Sequence, residues 1–180
     1  MINLPGFDLD YCHPGSLLVV PVDAVTNTVE RVEFKLIMNG HSVVATAVPQ
    51  PISLNSVGSY MSLPIELTSV ITGMLVSQGG VERVVDDSGT VTIFRNCTNQ
   101  MISNLPDIVK TSSDFSGDII GDIVQTAEDY IQVFPDGHEC AFRFSITQPN
   151  EQSWMNPITF AGLNIRIQNT SISFCDPVVQ

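Results

Sequence analysis

Residues 32–48 read VEFKLIMNGHSVVATAV, two apolar and β-branched runs on either side of an Asn-Gly pair. The pair Asn39-Gly40 is a strong signal for a two-residue hairpin loop, because a type I′ turn needs a positive φ at both central positions. The stretch therefore predicts two antiparallel strands joined by a tight turn.

A two-residue loop also fixes the register of the two strands. Met38 should face His41, and Leu36 should face Val43. Side chains alternate along a strand, so one face of the ribbon should be buried and the other mixed. The predicted core face contains Val32, Phe34, Leu36, Met38, His41, Val43, Ala45 and Ala47.

Two further hairpins are predicted, one from residues 81–85 and 90–95 and one from residues 130–134 and 139–146. The second of these has Pro135-Asp136-Gly137 in its turn, and each of those residue types favours a turn for its own conformational reason. Other strands are predicted at 16–23, 158–160, 163–168 and 171–175.

Two segments have helical spacing of apolar residues. The first contains Leu67, Val70, Ile71, Met74 and Leu75, with Pro64 before it and Gly79-Gly80 after it. The second contains Ile119, Ile120, Ile123, Val124 and Ala127, with Asp114 or Asp118 as the expected N-cap. Both are predicted as short helices between strands.

Many short strands with regular turn signals predict an all-β fold of the sandwich or barrel class. We expect one domain over residues 1–180, with an extended N-terminal segment at 1–15 and a C-terminal tail at 176–180. The strand pattern resembles the single jelly rolls of virion proteins and of tumour-necrosis-factor-like trimers. That resemblance implies a jelly-roll antiparallel β-sandwich with two inserted helices, although no diagnostic motif accompanies it.

Charge is scarce in this chain. Charged residues are 14% of the sequence, against roughly 25% in an average soluble domain. The net charge is −12, which disfavours nucleic acid and anionic membranes as partners. Charged residues are depleted in protein–protein interfaces, so the composition favours a chain that contacts copies of itself or other proteins.

The four cysteines, Cys12, Cys97, Cys140 and Cys175, contain no CxxC spacing, and no zinc site or other metal or cofactor site is expected. No signal peptide is recognisable in residues 1–15, so the chain is either made in a cytoplasm or is a mature or excised domain with an added Met. Without a signal peptide, four buried free thiols are the favoured state of the cysteines. In an oxidising compartment the expected pairs are Cys140–Cys175 and Cys12–Cys97.

Two asparagines, Asn96 and Asn169, begin N-x-S/T sequons, which matter only in a secreted chain. Trp154 lies in the polar stretch 150–157 and is the candidate contact for a glycan ligand. His41 and His138 each follow the glycine of a hairpin turn, but no nucleophile motif accompanies them. A hydrolase on a β-scaffold is therefore the weakest of the functional readings, and no catalytic residue is assigned.

The leading hypothesis is a non-enzymatic assembly protein, such as a capsid, penton, cement or fibre-head subunit of a virion. It would be made in the host cytoplasm and would act through protein–protein contacts. The alternative is a carbohydrate- or receptor-binding module at a cell or virion surface. Membrane insertion is not expected, because no stretch of 18 uncharged apolar residues occurs.

Overall fold

The computed structural model describes residues 12–54, 61–84, 92–135, 137–147, 151–155, 164–168 and 170–176. Within them the strands are β1 (Leu18–Pro21), β2 (Thr28–Met38), β3 (His41–Ala45), β4 (Gln50–Leu54), β5 (Ser62–Pro64), β6 (Val81–Val84), β7 (Thr92–Arg95), β8 (Asp107–Ser113), β9 (Ile119–Gln125), β10 (Ile131–Val133), β11 (Glu139–Phe142), β12 (Ser145–Thr147), β13 (Trp154–Met155), β14 (Asn164–Gln168) and β15 (Ser171–Cys175). The helices are α1 (Ile65–Ser77), α2 (Asn99–Ser103) and α3 (Ala127–Tyr130). The chain is mostly β, as predicted.

The predicted Asn-Gly hairpin is confirmed as β2 and β3. Asn39 and Gly40 have φ values of 52° and 77°, and Met38 pairs with His41. Beyond the turn the predicted register is wrong, because the register shifts after Ile37 and Leu36 pairs with Val44. The shift leaves Val43 exposed.

Strand β2 is the organising element of the largest sheet. The strand order is β13-β4-β2-β8-β9, and β3 also pairs with β2. The long β2 pairs with β4 through its first half and with β3 through its second half. Its inward side chains are buried as the alternation predicts; they are Val32, Phe34 and Leu36.

Two smaller antiparallel sheets have the orders β1-β15-β14 and β10-β11-β7-β6. The latter contains both predicted hairpins, β6–β7 and β10–β11. Strand β1 approaches β9 so closely that a Cβ on Gly121 would lie 2.7 Å from Leu18 Cδ1. Short parallel pairs join β5 to β12 and β4 to β13. The strand predicted at 158–160 and the loop of the β6–β7 hairpin lie outside the described residues.

The first predicted helix is confirmed as α1, with Pro64 as its N-cap residue and Gly79 at a φ of 98° just beyond its end. Leu67, Ile71 and Leu75 are fully buried against the core. Their spacing of four residues places them on one face of the helix.

The second predicted helix is wrong, because residues 119–125 form strand β9, which pairs antiparallel with β8. Asp114 is not a helix cap. Its carboxylate accepts hydrogen bonds of 2.9 Å from the backbone N–H groups of Ser116 and Asp118 and so forms the β8–β9 turn. Pairing with β8 gives the backbone N–H and C=O groups of this segment their hydrogen-bond partners, and its β-branched isoleucines favour a strand.

Both cysteine expectations are wrong. The structure has disulfides Cys12–Cys175 and Cys97–Cys140, and the described residues contain no free cysteine. Cys175 lies beside the N-terminal segment because the His13 N–H donates to the Asp176 carbonyl at 2.9 Å. Cys140 pairs with Phe94 across the β7–β11 ladder, which brings it near Cys97.

Tyr130, the last residue of α3, is buried in the core. Its hydroxyl donates a 2.7 Å hydrogen bond to the Pro106 carbonyl, and burial together with the nearby charge of Asp107 raises its pKa above the ordinary range. We expect Tyr130→Phe to lower the free energy of unfolding by about 1 to 2 kcal/mol, because it leaves a carbonyl without its donor. Urea denaturation measures this. An unchanged midpoint would show that this bond contributes nothing.

Candidate functional site

Three exposed apolar side chains lie along the last strand of the largest sheet and the turn before it, with Asp122 between two of them in the strand register. Phe115, Ile119 and Val124 are 58%, 72% and 54% exposed. Ile119 and Val124 lie in β9, and Phe115 lies in the turn that precedes it. We call these three residues the β9 edge surface. Apolar groups of this kind mark interaction sites when they lie together on a strand that has an open edge.

The β8–β9 turn positions this surface. Asp114 N–H donates to the Asp118 carbonyl at 2.9 Å, and Gly117 has a φ of 96°. A Cβ on Gly117 would lie 2.8 Å from the guanidinium of Arg31, so this arginine lies against the turn. The register shift between Ser112 and Ser113 changes the direction of β9 at its start.

Charged groups of both signs lie on the outer face of the sheet, in the strand rows that contain or separate Ile119 and Val124. Lys35 Nζ lies 2.9 Å from a Glu33 carboxylate oxygen. In the next strands, the Thr111 hydroxyl donates to Asp122 at 2.6 Å. The strand register aligns residues of β2, β8 and β9 in rows across the sheet, including Lys35–Val109–Val124 and Glu33–Thr111–Asp122. The face therefore alternates positive, negative and apolar groups over short distances.

A shallow cleft of about 520 Å³ lies on another part of the molecule, beside the Cys97–Cys140 disulfide. Its lining includes Asn96, Thr98 and His138. Thr98 caps α2, since its hydroxyl oxygen accepts from the Met101 N–H at 3.2 Å. Amide, hydroxyl and imidazole groups of this kind can hydrogen-bond a polar ligand.

A second polar cleft, of about 420 Å³, lies between the Asn-Gly turn and the end of α2. Asn39, Asn104 and Asp107 line it together with apolar side chains. His41 belongs to the adjacent hairpin and His138 to the β10–β11 turn, and neither cleft is lined by both. The structure therefore does not bring the two histidines together in either cleft.

Lys110 was not singled out from the sequence, yet it has the most perturbed environment of any basic group among the described residues. It is 1% exposed, and burial lowers its pKa from 10.5 to about 7. Its Nζ donates to Gln125 Oε1 at 2.6 Å. Lys110 lines neither of the two clefts described above.

Trp154 lies in a strand and not in a free loop. It pairs with Ser53 in the parallel β4–β13 ladder. Its backbone N–H donates to the Ser62 hydroxyl oxygen at 2.8 Å. The side chain is half-buried. A glycan contact at Trp154 stays a prediction.

No group of three or more histidine, cysteine or acidic side chains suited to a metal ion occurs in the part of the chain that the structure describes. In that same part, none of the helices is both long enough and apolar enough to span a bilayer.

No protein-family model matches the chain, and the search of curated proteins gives no significant match.

Proposed function

We propose that this chain is a non-enzymatic structural domain that assembles with further copies of itself through the β9 edge surface. The observation that carries the proposal is an edge strand with two strongly exposed apolar side chains. Ile119 and Val124 belong to β9, and among the described residues β9 pairs only with β8. Within the described residues, the row of β9 backbone groups on the side away from β8 has no ladder partner, and an edge of this kind accepts a further strand.

A second copy fits this surface better than a highly charged partner. Arg31 and Lys35 contribute positive charge, and Glu33 and Asp122 contribute negative charge, on the same outer face. A face with interspersed charges of both signs can complement itself across a twofold axis. The low charged fraction of 14% supports the same conclusion.

Two disulfides support a setting at a virion surface or outside a cell, since disulfides persist in oxidising environments and are rare in a cytosol. We therefore favour the extracellular setting over assembly in a cytoplasm. We also retain the jelly-roll sandwich as the proposed form of the fold. The approach of Leu18 in β1 to Gly121 in β9 supports two facing sheets, whereas the two parallel pairs do not belong to that pattern.

Ile119→Lys should weaken self-association by about ten- to a hundredfold, because burying an isoleucine is worth about 1.5 to 3 kcal/mol. Val124→Lys should act in the same direction. Sedimentation velocity over a concentration series measures the dissociation constant. The matched control is Val25→Lys, since Val25 is 94% exposed in the turn before β2 and lies outside the proposed interface.

Equal weakening by Val25→Lys would show a general effect of added charge and would remove the β9 edge from the proposal. Unchanged association in Ile119→Lys and Val124→Lys would place any interface elsewhere.

A further inference from the structure

We propose that Asn96 carries an N-linked glycan. Asn96, Cys97 and Thr98 form an N-x-T sequon. Asn96 directly follows β7 with a φ of 62°, and its side chain is exposed at the cleft beside the Cys97–Cys140 disulfide. A large group attached there extends into solvent and displaces no core residue.

The disulfide supplies an independent reason to place this sequon in a glycosylating compartment. Cys97, the central residue of the sequon, is bonded to Cys140. A structural disulfide of this kind indicates an oxidising compartment. In a eukaryotic cell the lumen in which such bonds form is also where N-x-S/T asparagines are modified. The sequon and its own disulfide therefore point to the same compartment.

The folded geometry sets the order of events. Cys97 is buried at the centre of the sequon, and the Thr98 hydroxyl accepts the Met101 N–H as the cap of α2. A transferring enzyme must reach both the Asn96 amide and the Thr98 hydroxyl, and in the folded chain the cap of α2 already uses that hydroxyl while Asn96 is fixed at a positive φ. Glycan transfer therefore precedes closure of the Cys97–Cys140 bond and formation of α2.

The transfer step needs a lipid-diphosphate-linked oligosaccharide as donor. The Asn96 amide nitrogen forms a bond to the anomeric carbon of the sugar. The bond from that carbon to the diphosphate oxygen breaks, and the lipid diphosphate leaves with the electron pair. The amide nitrogen loses one proton to a base, so the product is a neutral secondary amide.

The test is peptide mapping of the full chain secreted from eukaryotic cells behind a cleavable leader. Treatment with an amidase that hydrolyses the side-chain amide of a glycosylated asparagine, leaving aspartate, should change the mass of the peptide containing Asn96. Intact secreted protein should also exceed 19.6 kDa before that treatment, but Asn169 begins a second sequon, so the Asn96 peptide carries the assignment. Both measurements use the wild-type chain, so neither depends on whether a variant folds.

Variants then assign the modification to this sequon. Asn96→Gln and Thr98→Ala should remove the glycan from this peptide, whereas Thr98→Ser, which keeps both the sequon and a capping hydroxyl, should retain it. Asn99→Gln is the matched control, since Asn99 is an exposed asparagine three residues away that begins no sequon. Secreted protein with the Cys97–Cys140 bond formed and Asn96 unmodified would overturn the proposal. That result would leave the β9 assembly untouched, because the two rest on different residues.

Discussion

Lys110→Met should remove a pH dependence of folding stability that we expect in the wild-type chain between pH 7 and pH 10.5. Burial lowers the pKa of Lys110 to about 7 in the folded chain. In that window the unfolded chain binds a proton at Lys110 that the folded chain does not, so wild-type stability rises with pH. The slope from this one group approaches about 1.4 kcal/mol per pH unit.

The measurement is the free energy of unfolding of both proteins by urea denaturation at pH 7, 8 and 9. The free energy of unfolding of Lys110→Met minus that of wild type should decrease by about 2 to 3 kcal/mol from pH 7 to pH 9. In Lys110→Met the Gln125 side-chain oxygen loses its hydrogen-bond donor, and this lost bond lowers the free energy of unfolding by an amount that does not depend on pH. The double variant Lys110→Met with Gln125→Leu removes both partners and so measures that amount separately.

Lys35→Met is the matched control because Lys35 is the only other lysine in the sequence and lies partly exposed beside Glu33. Lys35→Met removes the same positive charge from a partly exposed site, so an effect common to both variants reports the loss of charge and not the burial of Lys110. If the difference between Lys110→Met and wild type stays constant from pH 7 to pH 9, Lys110 does not change its protonation on folding in this range, and our account of its burial is wrong.

Removing either disulfide should cost a large part of the folding stability. The Cys12–Cys175 bond closes a sequence separation of 163 residues, and the Cys97–Cys140 bond closes one of 43. Loop-closure entropy predicts losses of about 5 and about 4 kcal/mol. A domain of this size has about 5 to 15 kcal/mol in total.

The two double variants are Cys12→Ala with Cys175→Ala and Cys97→Ala with Cys140→Ala. Thermal unfolding of each, with and without a reductant, measures the loss. Reductant should lower the wild-type midpoint below that of either variant, because it opens both bonds. A wild-type midpoint that does not respond to reductant would contradict the contribution of the disulfides to stability.

Local signals in the sequence predicted the elements that depend on local structure. The Asn39-Gly40 turn needs two positive φ values, and Asn and Gly supply them wherever the strands lie. Helix α1 was predicted because Leu67, Ile71 and Leu75 repeat at helical spacing and bury together. These elements are decided within about fifteen residues of chain.

Elements decided by distant neighbours were not predicted correctly. The isoleucines of 119–123 fit a helical period, and only pairing with β8 makes them a strand. Strand β8 itself was missed because its sequence DIVKTSS looks polar, yet Lys110, Thr111 and Ser112 are buried between β2 and β9. The β9 edge surface was therefore not predicted, because the sequence pattern placed Ile119 and Val124 in a helix.

Disulfide connectivity is likewise a property of the whole fold. The spacing of the four cysteines allows three pairings, and only the final approach of the N-terminal segment to β15 selects Cys12–Cys175. The candidate glycan site differs, because the Asn96 sequon is visible in the sequence. Its exposure and the bond at its central cysteine come from the structure.

The most direct test of the proposed assembly is the solution mass of the wild-type chain by light scattering on a sizing column, at low and at high salt. Two copies with a net charge of −12 each repel one another, and salt screens that repulsion. We predict a mass of at least twice 19.6 kDa that becomes more populated as salt rises. A chain that stays at 19.6 kDa at both salt concentrations, at concentrations up to the solubility limit, would contradict self-assembly through β9.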